Sequence, residues 1–357
     1  MTRSLTLIPV FLLLGACGGG GDDDKTGSGT NTPTDTVTGD DDDDVVGDDD
    51  DDVVGDDDDD DDDDDDGGCN NDVEATFPAD GETDAFFRTE VAVNLEDADP
   101  SATLAVDGVT GTSEVSNNVV SFTADAPYTA GSTYTATLTY ECGTETFAFT
   151  VGGVGAPTTV SPNGKVYSLD LTSGTFVVPG ASAGDLVADL VDGVEVLFGV
   201  TAEPTTEIPM IGALGDGNGA QDVCTPTLDF PVTPTYEDPY FNLYSETLTL
   251  SIAGVTAVLD DLELYGAFTE QADAIEGGTL KGSIDTRGLK EALDLPTTAP
   301  DEAVCTVVGA VGVACEACAD GSGDYCLNLW VSDLTAPEVA GGSIVPISEK
   351  EAAANCP

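Results

Sequence analysis

Histidine is absent from this 357-residue chain, and Lys and Arg together number 8 against 70 Asp and Glu. Without histidine there is no Ser-His-Asp triad, no Cys-His dyad and no His-ligated zinc or iron centre. The formal charge of −62 excludes ordinary nucleic-acid binding, which needs Lys and Arg to displace counterions from phosphate. For the same reason the folded part does not adsorb to an anionic bilayer by charge. Long apolar runs are also missing: no stretch reaches the roughly 18 residues that mark a membrane-spanning helix. Carboxylates are plentiful, so a carboxylate-based hydrolase remains open as a chemical class. No cofactor is expected.

The longest apolar run is short and lies at the start. After Met1-Thr2-Arg3-Ser4, residues Leu5 to Leu14 are apolar except for Thr6 and Pro9, which matches the h-region of a signal peptide. The run ends in Leu14-Gly15-Ala16-Cys17. This resembles the lipobox of bacterial lipoproteins, in which small residues precede a cysteine that becomes the new N-terminus. The resemblance implies a signal peptide at 1–16 and a Cys17 bearing thioether-linked diacylglycerol and an N-acyl chain. Two such signals anchor stably where one is marginal, so the membrane is a partner through Cys17. Gly18 stands where an inner-membrane retention signal would place Asp. By the same resemblance the expected location is the cell envelope, as an outer-membrane lipoprotein exposed at the surface. A plain secretory signal with a fortuitous Cys17 is the alternative.

Residues 17–68 hold too few apolar side chains to bury a core and read as a disordered Asp-rich tether. Asp40–Asp44, Val45-Val46-Gly47, Asp48–Asp52, Val53-Val54-Gly55 and Asp56–Asp66 follow one another, so a unit of Asp run plus Val-Val-Gly recurs. Like charges extend such a chain. At about 3.3 Å per residue, residues 18–68 reach on the order of 170 Å at most. The runs read as a solvated spacer. They also offer hard oxygen ligands, so weak, non-specific divalent-cation binding on the Asp tract is expected.

From Cys69 to Gly152 the pattern changes to short alternating segments: Val91–Leu95, Thr133–Tyr140 and Thr146–Val151. Asp107-Gly108, Asn117-Asn118 and Ala130-Gly131 supply turns between them. This spacing predicts a β-sandwich over 69–152. Phe77-Pro78-Ala79-Asp80-Gly81 and Tyr128-Thr129-Ala130-Gly131-Ser132-Thr133-Tyr134-Thr135 resemble the opening turn and the late tyrosine stretch of bacterial Ig-like modules of surface proteins. The resemblance implies a spacing or presenting role, and makes Tyr134 the aromatic that pins a corner. In such a sandwich the last strand pairs in parallel with part of the first. That brings Cys69 and Cys142 to one end and implies a disulfide between them.

Beyond the linker Gly152–Pro157, residues 157–357 are read as a second, larger antiparallel β-rich domain with a few short helices. Strands are expected at Lys165–Leu171, Gly174–Val178, Val194–Thr201, Ile208–Leu214, Phe241–Ile252, Val255–Phe268 and Ile275–Ile284. Leu248, Leu250 and Ile252 alternate with Thr247, Thr249 and Ser251, giving one apolar face. Helices are expected at Ala183–Leu190, Thr286–Leu293 and Ser348–Ala354. The fold class is mainly β: a sandwich followed by a curved sheet or partly closed barrel.

Nine cysteines less a lipidated Cys17 leave an even set: Cys69, Cys142, Cys224, Cys305, Cys315, Cys318, Cys326 and Cys356. The last six can pair in 15 ways, of which Cys305–Cys315, Cys318–Cys326 and Cys224–Cys356 is the pairing adopted. Cys315-Glu316-Ala317-Cys318 is also a C-x-x-C, which a redox motif or a zinc site with Cys305 and Cys326 could use. An oxidising compartment favours structural disulfides and no metal.

Other acidic groups read as structural. Asp216 to Asp222 places oxygen side chains like part of a Ca²⁺ loop but lacks the fifth-position ligand and the terminal bidentate Glu. Asp285 and Arg287 share a face at a strand end, and Asp260, Asp261 and Glu263 cluster in sequence. No catalytic residue stands out. Three functions follow: a non-enzymatic envelope protein contacting a surface partner, a carrier of a lipid or small apolar ligand, and a carboxylate-dependent glycan hydrolase. Two convergent carboxyl groups in an open cleft would favour the last.

Overall fold

The computed structural model describes residues 69–356, apart from 181–183, 185–186, 189–192, 229, 231, 253–254, 291–294, 297 and 311–312. Cys17, the signal peptide, the tether, most of the expected helix at 183–190 and the Ala253-Gly254 turn lie outside the described residues.

Seven strands build the first part: β1 (Val73–Phe77), β2 (Val91–Leu95), β3 (Thr103–Val106), β4 (Gly111–Ser116), β5 (Val119–Ala124), β6 (Thr133–Tyr140) and β7 (Gly143–Thr150). They form two antiparallel sheets, ordered β1-β2-β5-β4 and β3-β6-β7. Between them lies a core with Val91, Val93, Leu95, Leu104, Val120, Leu138 and Phe149. Period-2 alternation explains the inward set. The chain leaves β1 through Pro78 and then runs parallel beside the end of β7, with Ala85 bridging Val151. Thr129 N–H donates to the Tyr134 hydroxyl at 3.0 Å, and Tyr134 packs on Tyr128 and Phe149.

Nine strands build the second part. A six-stranded sheet orders β12 (Thr235–Glu237), β13 (Tyr240–Ile252), β14 (Val255–Phe268), β15 (Ala274–Asp285), β16 (Cys326–Pro337) and β9 (Thr175–Val178). A three-stranded sheet orders β11 (Met210–Leu214), β10 (Glu195–Val200) and β8 (Val166–Asp170). Single bridges join the two sheets at both ends: Tyr167 pairs with Glu338 beyond β16, and Glu207 before β11 pairs with Thr235 of β12. The strands therefore close into a barrel-like body, with β9 added outside β16. Side chains fill its interior, among them Tyr167, Phe198, Phe241, Leu243, Phe268, Leu280 and Leu334. A barrel of about eight strands is just wide enough for such filling.

Helical content is small. Thr286–Lys290 forms a 3-10 turn at the start of the helix expected over Thr286–Leu293, whose residues 291–293 lie outside the described residues. Helix α1 (Ala303–Gly309) was not foreseen, and α2 (Glu349–Asn355) starts at a Ser348–Glu351 capping box.

Every strand position of β2 is buried because both of its faces are covered. Val91, Val93 and Leu95 point into the sandwich core, while Ala92 joins Phe77, Val119, Val177 and Trp330 in a second cluster against the barrel. Asn94 on that second face donates to the Val177 carbonyl at 2.9 Å. The face that period-2 alternation would leave wet is a seam instead.

Candidate functional site at the seam of sandwich and barrel

Charge and aromatic chemistry gather where the sandwich meets the barrel. β15 and β16 lose register there: Ser332 and Asp333 together face Thr279, and Asp333 sits at φ 55. The opposite irregularity places Gly277 at φ +58, and a Cβ at this glycine would collide with the Phe86 ring. Glycine is thus needed twice over, for its backbone and for the close approach of the sandwich. Phe86 then packs with Tyr265 and Ala267, and Phe87 meets Tyr240 edge-on.

Polar groups lock the same surface. The Lys281 ammonium stands 2.5 Å from Glu90 and 3.8 Å from the centre of the Trp330 ring. Glu90 also accepts from the Tyr265 hydroxyl at 3.4 Å and from Thr123 at 3.3 Å. Trp330 Nε1 donates to Ser332 Oγ at 2.7 Å, which lies 3.2 Å from Thr279 Oγ1. Arg88 lies 4.4 Å from the centre of the Tyr240 ring and pairs with Glu237 at 2.7 Å. Burial beside Glu90 and Glu263 holds the Tyr265 phenol far above its ordinary range. Burial, with the like charges of Glu82 and Asp84, pushes the Asp333 carboxyl up to about 6. Glu82 is raised as well, first by burial and then by Asp84. This arrangement can clamp two β-bodies together and sense acid. It presents no nucleophile with an adjacent base.

The eight cysteines of the described residues all lie in bridges: Cys69–Cys142, Cys224–Cys356, Cys305–Cys315 and Cys318–Cys326, with Cα–Cα distances of 5.2, 5.4, 5.6 and 5.1 Å. Cys315 and Cys318 thus have different partners. The Asp216 loop closes on itself: Asp216 Oδ1 accepts from Asn218 N–H at 2.8 Å, and Glu195 accepts from Gly217 and Gly219. Arg287 holds Asp285 and Asp320 and lies over Tyr325. Asp260, Asp261 and Glu263 do not act together, since each accepts from a different neighbour on β13: Thr247, Tyr244 and Asn242.

A cleft of about 150 Å³ opens between β1 and β7, lined by Val73, Val93, Leu138, Phe147, Asp80 and Glu145 among others. That is smaller than the roughly 300–1,000 Å³ of small-molecule sites. Its two carboxylates already accept hydrogen bonds, Asp80 from Ala148 N–H and Glu145 from the Tyr140 hydroxyl. Sequence reading missed the seam residues Glu90, Lys281, Trp330 and Asp333. The one signal available was scarcity: Trp330 is the single Trp, and Lys281 is one of 8 basic residues.

No family model matches the chain. No curated protein matches it significantly. Among solved structures it is similar to L,D-transpeptidase 3 from Mycobacterium tuberculosis, with 20% identity and a TM-score of 0.18 over 25% of this chain. The chain spans 39% of the length of that protein. An L,D-transpeptidase from Mycobacterium smegmatis gives 11% identity and a TM-score of 0.23 over 55% of this chain and 76% of the other. An L,D-transpeptidase from Mycobacterium tuberculosis H37Rv gives 14% and 0.22 over 55% and 79%. Similarity this low assigns neither a fold family nor an activity to this chain.

Proposed function

We propose that the protein is a lipid-anchored component of the cell envelope, in which an Asp-rich tether displays a non-enzymatic sandwich-and-barrel body at the surface. The observation that carries this reading is the pairing of the eight cysteines of the described residues into four disulfides. Such bridges persist in oxidising compartments and are rare in the cytosol. The Leu14-Gly15-Ala16-Cys17 sequence supports export with acylation, and the Asp runs of 40–66 support a spacer that carries the body clear of the membrane. A filled barrel interior and a clamped seam suit a rigid display or interaction unit better than a carrier. The Tyr134 corner and the parallel Ala85–Val151 bridge support the likeness of the first part to Ig-like presenting modules.

The test is fractionation of cells producing the protein and its Cys17→Ser variant. The wild type is expected with the outer membrane and open to protease added to whole cells. The variant is expected in the soluble fraction, and its retention in membranes would refute the anchor.

A further inference from the structure

The outward edge of β7 is covered over only half its length. Along the second half the chain's own segment lies against it: Gly81 N–H donates to the Ala148 carbonyl at 2.7 Å, Thr150 N–H to the Glu82 carbonyl at 2.7 Å, and Ala85 N–H to the Thr150 carbonyl at 3.1 Å. Outward groups alternate along an antiparallel strand. Thr144 and Thr146 therefore present their N–H and C=O on the same side as Ala148 and Thr150. Among the described residues nothing hydrogen-bonds them there, and both are exposed. β1 does not take the place, because it pairs only with β2. The cleft between these two edges has an apolar floor of Val73, Val93, Leu138 and Phe147, with Asp80 and Glu145 also lining it. The Cys69–Cys142 bridge lies at one end and the Pro78–Asp80 crossing at the other.

We propose that this cleft binds an extended basic peptide by strand addition. A segment of about four or five residues continues the line of Gly81–Ala85 along Thr144 and Thr146. One apolar side chain enters the floor, and Lys or Arg two residues to either side, on the same face of the added strand, meets Asp80 and Glu145. Backbone bonds supply affinity in this mode, and the pocket supplies selectivity. Charge decides the occupant. The chain's own Val-Val-Gly units are flanked by Asp runs, and a second copy brings the same −62, so both are repelled. Among the described residues, Arg88, Lys165, Lys281, Arg287 and Lys290 are paired with acids other than Asp80 and Glu145. This assignment is independent of the lipid on Cys17.

The test is fluorescence anisotropy of the full chain in neutral detergent at about 0.15 M salt. The probe is a capped, labelled peptide of about nine residues with a central Lys-Thr-Val-Thr-Lys, in which Val and both Lys share one face of the extended strand. Saturable binding is expected, weakened about tenfold or more by Thr146→Pro, which removes one outward N–H at an edge position. Glu145→Lys is expected to weaken it similarly. The same peptide N-methylated at its central backbone amides leaves the protein untouched and is expected to bind at least tenfold worse. Equal binding by the N-methylated peptide would mean that the Asp tract captures it by charge alone, and would overturn the proposal. So would the absence of saturable binding up to about 1 mM.

Discussion

Lys281 of β15 and Glu90 of the segment before β2 meet at 2.5 Å across the seam, with the Lys281 ammonium 3.8 Å from the Trp330 ring centre. Both side chains are mostly buried, at 24% and 14% exposure, so solvent screens the pair less than a surface bridge. Removing one partner leaves the other charge poorly solvated, which costs more than the pair itself contributes. Lys281→Ala is expected to lower stability by about 2–3 kcal/mol in urea titration, counting the lost contact with the ring. A double-mutant cycle with Glu90→Gln is expected to return a coupling of about 1 kcal/mol or more. Strict additivity of the two substitutions would show that the contact does not clamp the seam.

Asp333 sets the pH response of that seam. Its carboxyl is raised to about 6 from an ordinary 3.8, so the folded protein holds this proton more tightly than the unfolded chain. The associated stability is fully present below pH 3.8 and is lost as pH rises through about 6. Asp333→Asn removes the buried charge and is expected to raise stability at pH 8 by on the order of 2 kcal/mol, with no gain at pH 3.5. Urea midpoints of both proteins across this range decide the matter. Parallel curves would mean that Asp333 ionises freely despite Glu82 and Asp84.

The Cys224–Cys356 bridge ties α2 to the loop after β11 and closes a separation of 132 residues, against 10 for Cys305–Cys315. In the chain-entropy model these closures contribute about 5 and about 3 kcal/mol. Replacing Cys224 and Cys356 together with Ser is expected to destabilise more than the same change at Cys305 and Cys315, as read from thermal melts under non-reducing conditions. Thiol titration of the denatured, unreduced protein is expected to find no free thiol among residues 69–357. Four titratable thiols with bound zinc would restore the metal reading of Cys315 and Cys318.

Much of the strand layout was legible because one-sided burial writes period 2 into the chain. β2 and β6 match their alternating segments, and β14 spans Val255–Phe268 as read. β16 was not legible, although it is central to the large sheet. It starts at Cys326 beside a disulfide, and its bulge at Ser332–Asp333 breaks the alternation. The seam was hidden for a different reason. Ala92, Asn94 and Lys281 look like solvent-facing positions of their strands, and only the docking of two separately patterned bodies buries them. The oxygen-rich stretches at Asp216–Asp222 and Asp260–Glu263 show the converse: sequence proximity of acids, with each carboxylate bound to a different neighbour.

Acylation of Cys17 is the central claim, and intact mass spectrometry of the protein extracted from membranes of a bacterial producer tests it directly. The account predicts a chain beginning at Cys17, heavier than residues 17–357 by a diacylglyceryl and an acyl group and lighter by the hydrogens of four disulfides. A chain that begins elsewhere, or one that begins at an unmodified Cys17, would contradict it.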